Sequence, residues 1–258
     1  RVLLGLCNTY PAAGIIEGMC AGWDFVWIDG QHGQIDYQAA AHALRAAHVA
    51  DVDTMLRTPG QEPGMLGQFA DLAPSALMIP MVNTPAQAQQ IVTALRFAPQ
   101  GQRSYGGRRV IDLYGRDYYR QQELAIVAQI ETEQAAQNAE AIIATDGIDL
   151  LFFGPDDMKL SLGLPIDTVP TENQRLSEAM RRTASAAKAA GKFACCVAAD
   201  AATAQLAMEM GFQLMVGGAD IAFLRTAAAG KLEELRGATR GGGQGGVTAR
   251  TGSDIYGG

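Results

Sequence analysis

The chain has 258 residues, of which 48% are hydrophobic and 18% are charged, and its formal net charge at pH 7 is −7. This length and hydrophobic content suffice for one sizeable core, as in the α/β barrels that fold as single domains. The acidic balance, without clusters of basic residues, argues against binding to nucleic acid or to anionic membranes. No apolar stretch reaches the length of a membrane span, and the four cysteines lack metal-ligand spacing, so we expect a cytoplasmic protein with free thiols.

Short apolar runs alternate with Ala-rich segments of helical periodicity along most of the chain. The predicted strands are residues 2–6, 25–28, 53–56, 76–79, 126–130, 150–153, 193–197 and 214–216. The predicted helices between them include residues 38–47, 85–97, 133–144, 172–190 and 201–210. Eight strands, each followed by a helical segment, predict a (β/α)₈ TIM barrel, and an open doubly wound sheet is the alternative.

Two segments fall outside this alternation. Residues 98–120 form a long connection rich in Gly, Arg and Tyr, and connections of this length are commonly functional or contact another subunit. Residues 237–258 are rich in glycine, which is typical of a flexible tail or of one that a partner orders. We therefore expect a single barrel domain over residues 1–236, followed by a tail.

Polar residues follow the predicted strands at the end where barrels of this kind carry their active sites. In chain order they are Asn8, Asp29, Gln31, His32, Arg57, Gln129, Glu131, Asp156 and Asp157, and the eighth strand leads into Gly217 and Gly218. Because the carboxyl ends of the strands in such a barrel share one rim, we expect these residues to converge there.

Glu131 and Asp157 are the predicted pair of ligands for a divalent cation. Both follow buried strands, and their hard oxygen atoms suit Mg²⁺, Mn²⁺ or Co²⁺, with positions left for water and substrate. The alternative is that each carboxylate caps the helix after it, because acidic residues are common at helix starts. For Asp156, a solvated loop position is favoured over a ligand role.

The sequence IDGQHG places His32 three residues after Asp29, across a glycine turn. A carboxylate on one ring nitrogen would fix the tautomer and leave the other for proton transfer; the alternative is a structural loop histidine. Arg57 closes an apolar strand and therefore needs a partner, either a substrate carboxylate or an internal salt bridge. Gly217 and Gly218 precede a predicted helix, where amide donors and the helix dipole favour an anion.

None of the four lysines falls at a strand end inside the predicted barrel. Lys188 and Lys231 lie on predicted helices, Lys192 opens the seventh strand at its amino end, and Lys159 lies past the exit of the sixth. A Schiff-base mechanism needs a lysine in the barrel, so the sequence favours a metal-dependent route.

Five motifs resemble the HpcH/HpaI family of class II, metal-dependent pyruvate aldolases, which includes 4-hydroxy-2-oxoheptanedioate and 2-dehydro-3-deoxyglucarate aldolases. They are WDFVWIDGQHG (residues 23–33), APQGQRSYGG (98–107), QIET (129–132), GPDDMKLSLG (154–163) and VGGAD (216–220). The motifs follow one another in the family's order over nearly the whole chain. The fold implied by this resemblance is a barrel of the phosphoenolpyruvate/pyruvate type, whose last helix is exchanged between subunits that assemble as hexamers.

The resemblance also implies roles for residues at the rim. Glu131 and Asp157 would bind the metal, Arg57 and Gln129 would contact pyruvate, and His32, oriented by Asp29, would be the acid–base residue. The substrate-binding residues implied in addition are Gly154, Pro155, Asp156, Gly217 and Gly218. Gln31 and Asp156 depart from the family's pattern, in which Glu and a small residue are frequent.

The activity implied is reversible cleavage of 4-hydroxy-2-oxo acids to pyruvate and an aldehyde through a metal-bound pyruvate enolate. Two alternatives are a CoA-ester lyase of the citrate-lyase β type and a non-catalytic barrel that binds organic acids. The first usually offers more basic residues for the CoA phosphates than this acidic chain does. The second, a non-catalytic barrel, would not need His32, Arg57, Glu131 and Asp157 together at one rim.

Overall fold

The computed structural model describes residues 1–120 and 124–239. Eight parallel strands pair in chain order and close on themselves, the last with the first. The strands are β1 (Leu3–Asn8), β2 (Phe25–Asp29), β3 (Asp53–Arg57), β4 (Ala76–Ile79), β5 (Ala125–Ile130), β6 (Leu150–Phe153), β7 (Phe193–Val197) and β8 (Leu214–Ala219). The closed sheet confirms the predicted (β/α)₈ barrel.

Helices occupy every connection between successive strands and follow the last strand. They are α1 (Ala13–Met19), α2 (Tyr37–Val49), α3 (Pro63–Ala70), α4 (Pro85–Leu95), α5 (Arg108–Tyr114), α6 (Glu133–Gln137), α7 (Ala139–Ile143), α8 (Pro155–Ser161), α9 (Gln174–Ala189), α10 (Ala201–Met210) and α11 (Asp220–Thr239). The predicted helix over residues 133–144 is in fact two helices, which meet at Asn138. No helix of the described ranges is long and apolar enough to cross a membrane.

Local signals in the sequence explain where several helices begin. At α4, the Thr84 side chain accepts the amide of Gln87, and the Gln87 side chain accepts the amide of Thr84, while Pro85 takes the first helical position. Asp36 and Asp200 cap α2 and α10 in the same way through a side-chain oxygen. These caps satisfy amides that the first turn of a helix leaves without partners.

Side chains alternate along each strand between the barrel interior and the layer beneath the helices. The outward cluster includes Leu6, Val26, Ile28, Leu56, Leu77 and Leu151. The interior cluster includes Cys7, Trp27, Met55, Met78, Val127, Phe152, Cys195 and Val216. One step nearer the carboxyl ends of β2, β3 and β5, the inward side chains are those of Asp29, Arg57 and Gln129, which together form a polar layer. The strand period of two therefore places a buried polar layer on an apolar floor.

The structure adds detail to the two segments outside the regular alternation. The connection over residues 98–120 contains α5 and a 3₁₀ turn, Tyr118–Arg120, and it packs on its own barrel. Its Arg103 pairs with Asp71, at the end of α3, so this part of the segment lies on the amino-terminal side of the barrel, away from the polar layer. The predicted glycine-rich tail begins within α11, which continues to Thr239, and residues 240–258 lie outside the described residues.

Candidate active site

Asp29 and Arg57 form the centre of the polar layer. The pairing of β2 with β3 sets them opposite each other. Arg57 donates from Nε to Asp29 Oδ1 at 2.8 Å and from Nη2 to Asp29 Oδ2 at 2.7 Å, and both side chains are buried. Of the two partners that the sequence allowed for Arg57, the internal salt bridge is therefore present. Two parallel hydrogen bonds also hold the plane of the guanidinium group.

The remaining arm of the guanidinium group points toward β5. Arg57 Nη1 lies 3.5 Å from Gln129 Oε1, which is a long and weak contact. Beneath the group, the centre of the Trp27 ring lies 4.7 Å from Arg57 Cζ. The guanidinium group is thus held at its edge by Asp29 and on one face by Trp27, while its Nη1 arm makes a long contact with Gln129.

The link between Asp29 and His32 differs from the predicted one. Asp29 Oδ1 accepts the backbone amides of Gln31, at 3.0 Å, and His32, at 3.2 Å. Its carboxylate therefore shapes the loop after β2 instead of holding the imidazole ring, whose tautomer it was predicted to fix. His32 itself is exposed on this loop. The structure thus makes Asp29 a partner of Arg57 and of the loop backbone.

Glu131 is a buried carboxylate with one oxygen unsatisfied. Its Oε1 accepts the Met81 amide at 2.6 Å, whereas its buried Oε2 has no hydrogen-bond partner among the described residues. Burial raises the pKa of Glu131 to about 7, the Met81 amide opposes the rise, and the negative charge of Asp157 adds to it. Thr132 caps α6, so Glu131 does not have the capping role that was its alternative.

Gly154 makes the close approach of β6 to this carboxylate sterically possible. A Cβ atom at Gly154 would lie 2.9 Å from Gln129 Nε2 and from Glu131 Oε2, closer than real Cβ contacts. Pro155 takes the first position of α8, and Asp156 and Asp157 lie in its first turn, where neither caps the helix. The breaker after β6 therefore places Asp157 in the first turn of a helix close enough to Glu131 for their charges to interact.

Asp156 does not lie in a solvated loop, as the sequence favoured, because it belongs to α8. It pairs with Lys159, whose Nζ lies 3.1 Å from Asp156 Oδ1 and donates to the Ile166 carbonyl at 2.7 Å. Lys192 donates to the carbonyls of Ile143 and Ile148 at 2.8 and 2.6 Å. Lys159 and Lys192 are thus both engaged in structural contacts.

Gly217 and Gly218 do not lie at the start of a helix, which was the basis for the predicted anion site. Both glycines lie within β8, and a Cβ on them would meet the rings of Trp23 and Phe223, at 3.1 and 2.8 Å. The residue at the start of α11 is Asp220, a fully buried carboxylate. The helix start therefore already carries an anion from the chain itself.

Asp220 joins the last helix to the end of the first strand. Its carboxylate accepts from Asn8 Nδ2 at 2.9 Å, from Thr9 Oγ1 at 2.6 Å, and from the backbone amides of Thr9 and Tyr10 at 3.0 Å. It also accepts the amide of Ile221 at 2.8 Å. These hydrogen bonds fix the chain after β1 against the start of α11.

A divalent cation fits the residues at Glu131 and Asp157. In residues 1–120 and 124–239, no three His, Cys, Asp or Glu side chains form a complete metal cage. Two carboxylates are sufficient where water and substrate complete the coordination. The unsatisfied Glu131 Oε2 and the adjacent charge of Asp157 are the features that a cation would neutralise. Roles for Met81 and Trp27 went unpredicted because Met81 acts through its backbone amide and Trp27 through the face of its ring.

Comparison with known proteins agrees with this geometry. The family model described as HpcH/HpaI aldolase/citrate lyase matches residues 12–227. The hydroxypyruvate/pyruvate aldolase of Rhizorhabdus wittichii is 34% identical over 217 residues, which are 83% of this chain and 86% of that protein. The 4-hydroxy-2-oxovalerate aldolase of Novosphingobium aromaticivorans is 41% identical over 155 residues, which are 58% of this chain and 59% of that protein.

A solved structure extends the likeness to the whole barrel. The crystal structure of an HpcH/HpaI aldolase/citrate lyase family protein from Burkholderia cenocepacia superposes with a TM-score of 0.83 at 31% identity. The match covers 92% of this chain and 95% of that one. The family predicted from the five motifs is confirmed. The chain belongs to the HpcH/HpaI aldolase/citrate lyase family of carbon–carbon lyases.

Proposed function

We propose that this protein is a divalent-metal-dependent aldolase that reversibly cleaves 4-hydroxy-2-oxo acids to pyruvate and an aldehyde. The observation that carries the proposal is the buried Glu131 carboxylate, with one oxygen unsatisfied beside the charge of Asp157. The names of the curated relatives, which are aldolases, support the reaction class and favour it over a CoA-ester lyase or a non-catalytic barrel. Glu131 and Asp157 are the proposed metal ligands.

Arg57, Gln129 and the cation would share the binding of the 2-oxo acid. When bound, Mg²⁺, Mn²⁺ or Co²⁺ supplies Lewis acidity that favours negative charge on the 2-oxo oxygen. Arg57 Nη1 exchanges its weak contact with Gln129 for an oxygen of the substrate, and the Gln129 amide group donates a second hydrogen bond. Because Asp29 already holds the other arms, Arg57 meets the developing charge without reorienting.

His32 is the proposed acid–base residue. It accepts the proton of the 4-hydroxyl group, directly or through one water, as the bond between C3 and C4 breaks. The electron pair of that bond stays on C3, which then takes a proton from the imidazolium or its water to give pyruvate, and the synthetic direction reverses both transfers. Its exposed position on the loop after β2 suits contact with an incoming aldehyde. Gly154 and Pro155 would bring the start of α8 to the substrate. Asp156 would line the outer edge of the same pocket.

Assembly and location complete the proposal. The side chains of α11 are exposed from Leu224 onward, except for Arg236. Leu224 and Leu232 lie on one face of the helix, and they are 43% and 48% exposed. This apolar face supports exchange of the last helix between subunits and assembly as a hexamer. The four cysteines are buried and free, which supports a reducing cytoplasm.

Exchange of the pyruvate methyl protons in deuterated water tests the reaction without knowledge of the aldehyde. The chelated protein should not exchange these protons, and added Mg²⁺, Mn²⁺ or Co²⁺ should restore exchange. Glu131→Gln should abolish it, whereas Glu133→Gln, a change at a half-buried carboxylate on α6 that pairs with Arg175, should not. Full exchange in metal-free protein, or turnover of a CoA ester with none of pyruvate, would contradict the proposal. A panel of aldehydes with pyruvate then identifies the second substrate.

A further inference from the structure

Two aromatic rings form the floor of the polar layer. Trp27 and Phe152 pack together inside the barrel, with ring centroids 5.2 Å apart and ring planes tilted by 57°, and both side chains are almost completely buried. Trp27 precedes Asp29 by two residues on β2, so it points into the barrel one level below the carboxylate. Phe152 pairs in register with Gln129. Trp27 thus lies one level below Asp29 on its own strand, and Phe152 lies beside Gln129 on the neighbouring strand.

The two rings differ in what they contact. The Trp27 ring lies under Arg57, with Cζ 4.7 Å from its centroid, which is within the range of a cation–π interaction. The same guanidinium group binds Asp29 through Nε and Nη2. The carboxylate fixes these two atoms, and the ring below limits the tilt of the group. Together they determine where the Nη1 arm points.

We propose that Trp27 is a positioning residue for Arg57, and that its indole face keeps the Nη1 arm directed at the 2-oxo acid. The inference rests on the proposed function, because Arg57 is a substrate contact only in that reaction. A buried cation over an aromatic face gains more than an exposed one, since neither group is solvated in the barrel. An apolar side chain of similar size would fill the space without attracting the guanidinium group.

Three variants separate this role from simple packing. Trp27→Leu should lower kcat/KM by roughly 3- to 30-fold, the range that a desolvated cation–π contact supports. Trp27→Phe, which keeps an aromatic face, should recover part of that loss. Phe152→Leu removes the neighbouring ring and is the matched control. Its Tm should drop by an amount similar to that of Trp27→Leu, whereas its kcat/KM should stay near that of the unaltered protein. Equal losses of kcat/KM in Trp27→Leu and Phe152→Leu would overturn the proposal.

A double-mutant cycle shows whether Trp27 acts through Arg57. In an Arg57→Met background, Trp27→Leu should cause little further loss, because the group that it positions is gone. Independent, multiplicative losses would show that Trp27 has a separate role. The cycle uses the methyl-exchange rate of pyruvate, so it needs no aldehyde.

Fluorescence tests the contact independently of activity. The chain has two tryptophans, so Trp23→Phe leaves Trp27 as the sole indole. In this background, Arg57→Met should shift or intensify the emission of Trp27, whereas Arg96→Met, at a buried arginine elsewhere, should not. If Arg57→Met left the wavelength and intensity of Trp27 emission unchanged, the positioning role would be overturned. If the unaltered protein lacked aldolase activity but showed this shift, the proposed function would fail while the contact stood.

Discussion

Asp29 and Arg57 meet through two parallel hydrogen bonds inside the barrel, at 2.8 and 2.7 Å, with almost no exposure to solvent. A buried ion pair adds little net stability, because the loss of hydration offsets most of the attraction. It does fix orientation, since the planar fork of arginine matches the two carboxylate oxygens. The pair is therefore better understood as part of the site than as part of the stability of the barrel.

Arg57→Lys should slow turnover by roughly 10²- to 10³-fold, the cost of one lost donor at a developing oxyanion. An ammonium group cannot form both bonds to Asp29 and still direct a third donor at the substrate. The matched control is Arg96→Lys, at a buried arginine that pairs with Asp149, where turnover per folded molecule should persist. Steady-state kinetics and Tm on both variants check this, and unchanged kinetics for Arg57→Lys would leave the residue a structural partner of Asp29.

Gly154→Ala should weaken metal binding by roughly 10- to 100-fold, the usual effect of disturbing a group next to a ligand. The added Cβ would press on Gln129 Nε2 and Glu131 Oε2. Gly67→Ala on α3 is the control, because a Cβ there meets nothing within 4 Å and alanine suits a helix. Calorimetric titration of the metal-free proteins with Mn²⁺ measures the difference. Equal affinities in the two variants would show that Glu131 is not a ligand.

Glu131 should make the stability of the metal-free protein depend on pH. Its folded pKa of about 7 lies above the usual 4.5, so the folded state holds the proton more tightly. The free energy of unfolding should therefore fall as pH rises between these values, and level off above them. Urea unfolding is measured from pH 4.5 to 8 on the unaltered protein and on Glu131→Gln. The difference between their free energies of unfolding gives the contribution of Glu131 at each pH. If the free energies of unfolding of the two proteins changed with pH in parallel, this role of Glu131 would be refuted. Mn²⁺ should stabilise the unaltered protein most above pH 7.

His32→Ala should slow aldol cleavage by roughly 10²- to 10⁴-fold, the scale of a lost acid–base group. Metal affinity should barely change, because His32 is not a proposed ligand. His42→Ala, at an exposed histidine of α2, is the control and should leave turnover intact. Turnover, bound metal and Tm are measured on the same preparations. Near-normal turnover in a destabilised His32→Ala protein would return this histidine to a structural role.

Most of the barrel was predictable because strand signals are local. Apolar runs bounded by breakers locate all eight strands, with β4, β6 and β7 at their observed bounds. The division of α6 from α7 at Asn138 escaped prediction because the Ala-rich periodicity continues through it. The end of β8 was placed too early because its glycines look like breakers, although they make room for Trp23 and Phe223.

The polar layer was predictable in its members but not in its contacts. The strand period of two places Asp29, Arg57 and Gln129 on the inside. Which side chains meet depends on the stagger between neighbouring strands, which is set by the closure of the whole barrel. Asp29 was therefore predicted to hold a nearby imidazole, whereas it holds an arginine on the next strand. Local sequence also gave no sign that the Met81 amide reaches Glu131.

The hydrogen bonds around Asp220 lie where the closed barrel ends and the last helix begins. They gather the end of β1 and the start of α11 on one buried carboxylate, so the seam between the first and last strands is complete before α11 leaves it. Beyond that point the side chains of α11 are exposed from Leu224 onward, except for that of Arg236. The strand pairing that closes the barrel therefore uses no residue beyond Ala219, and it does not depend on the chain after Asp220.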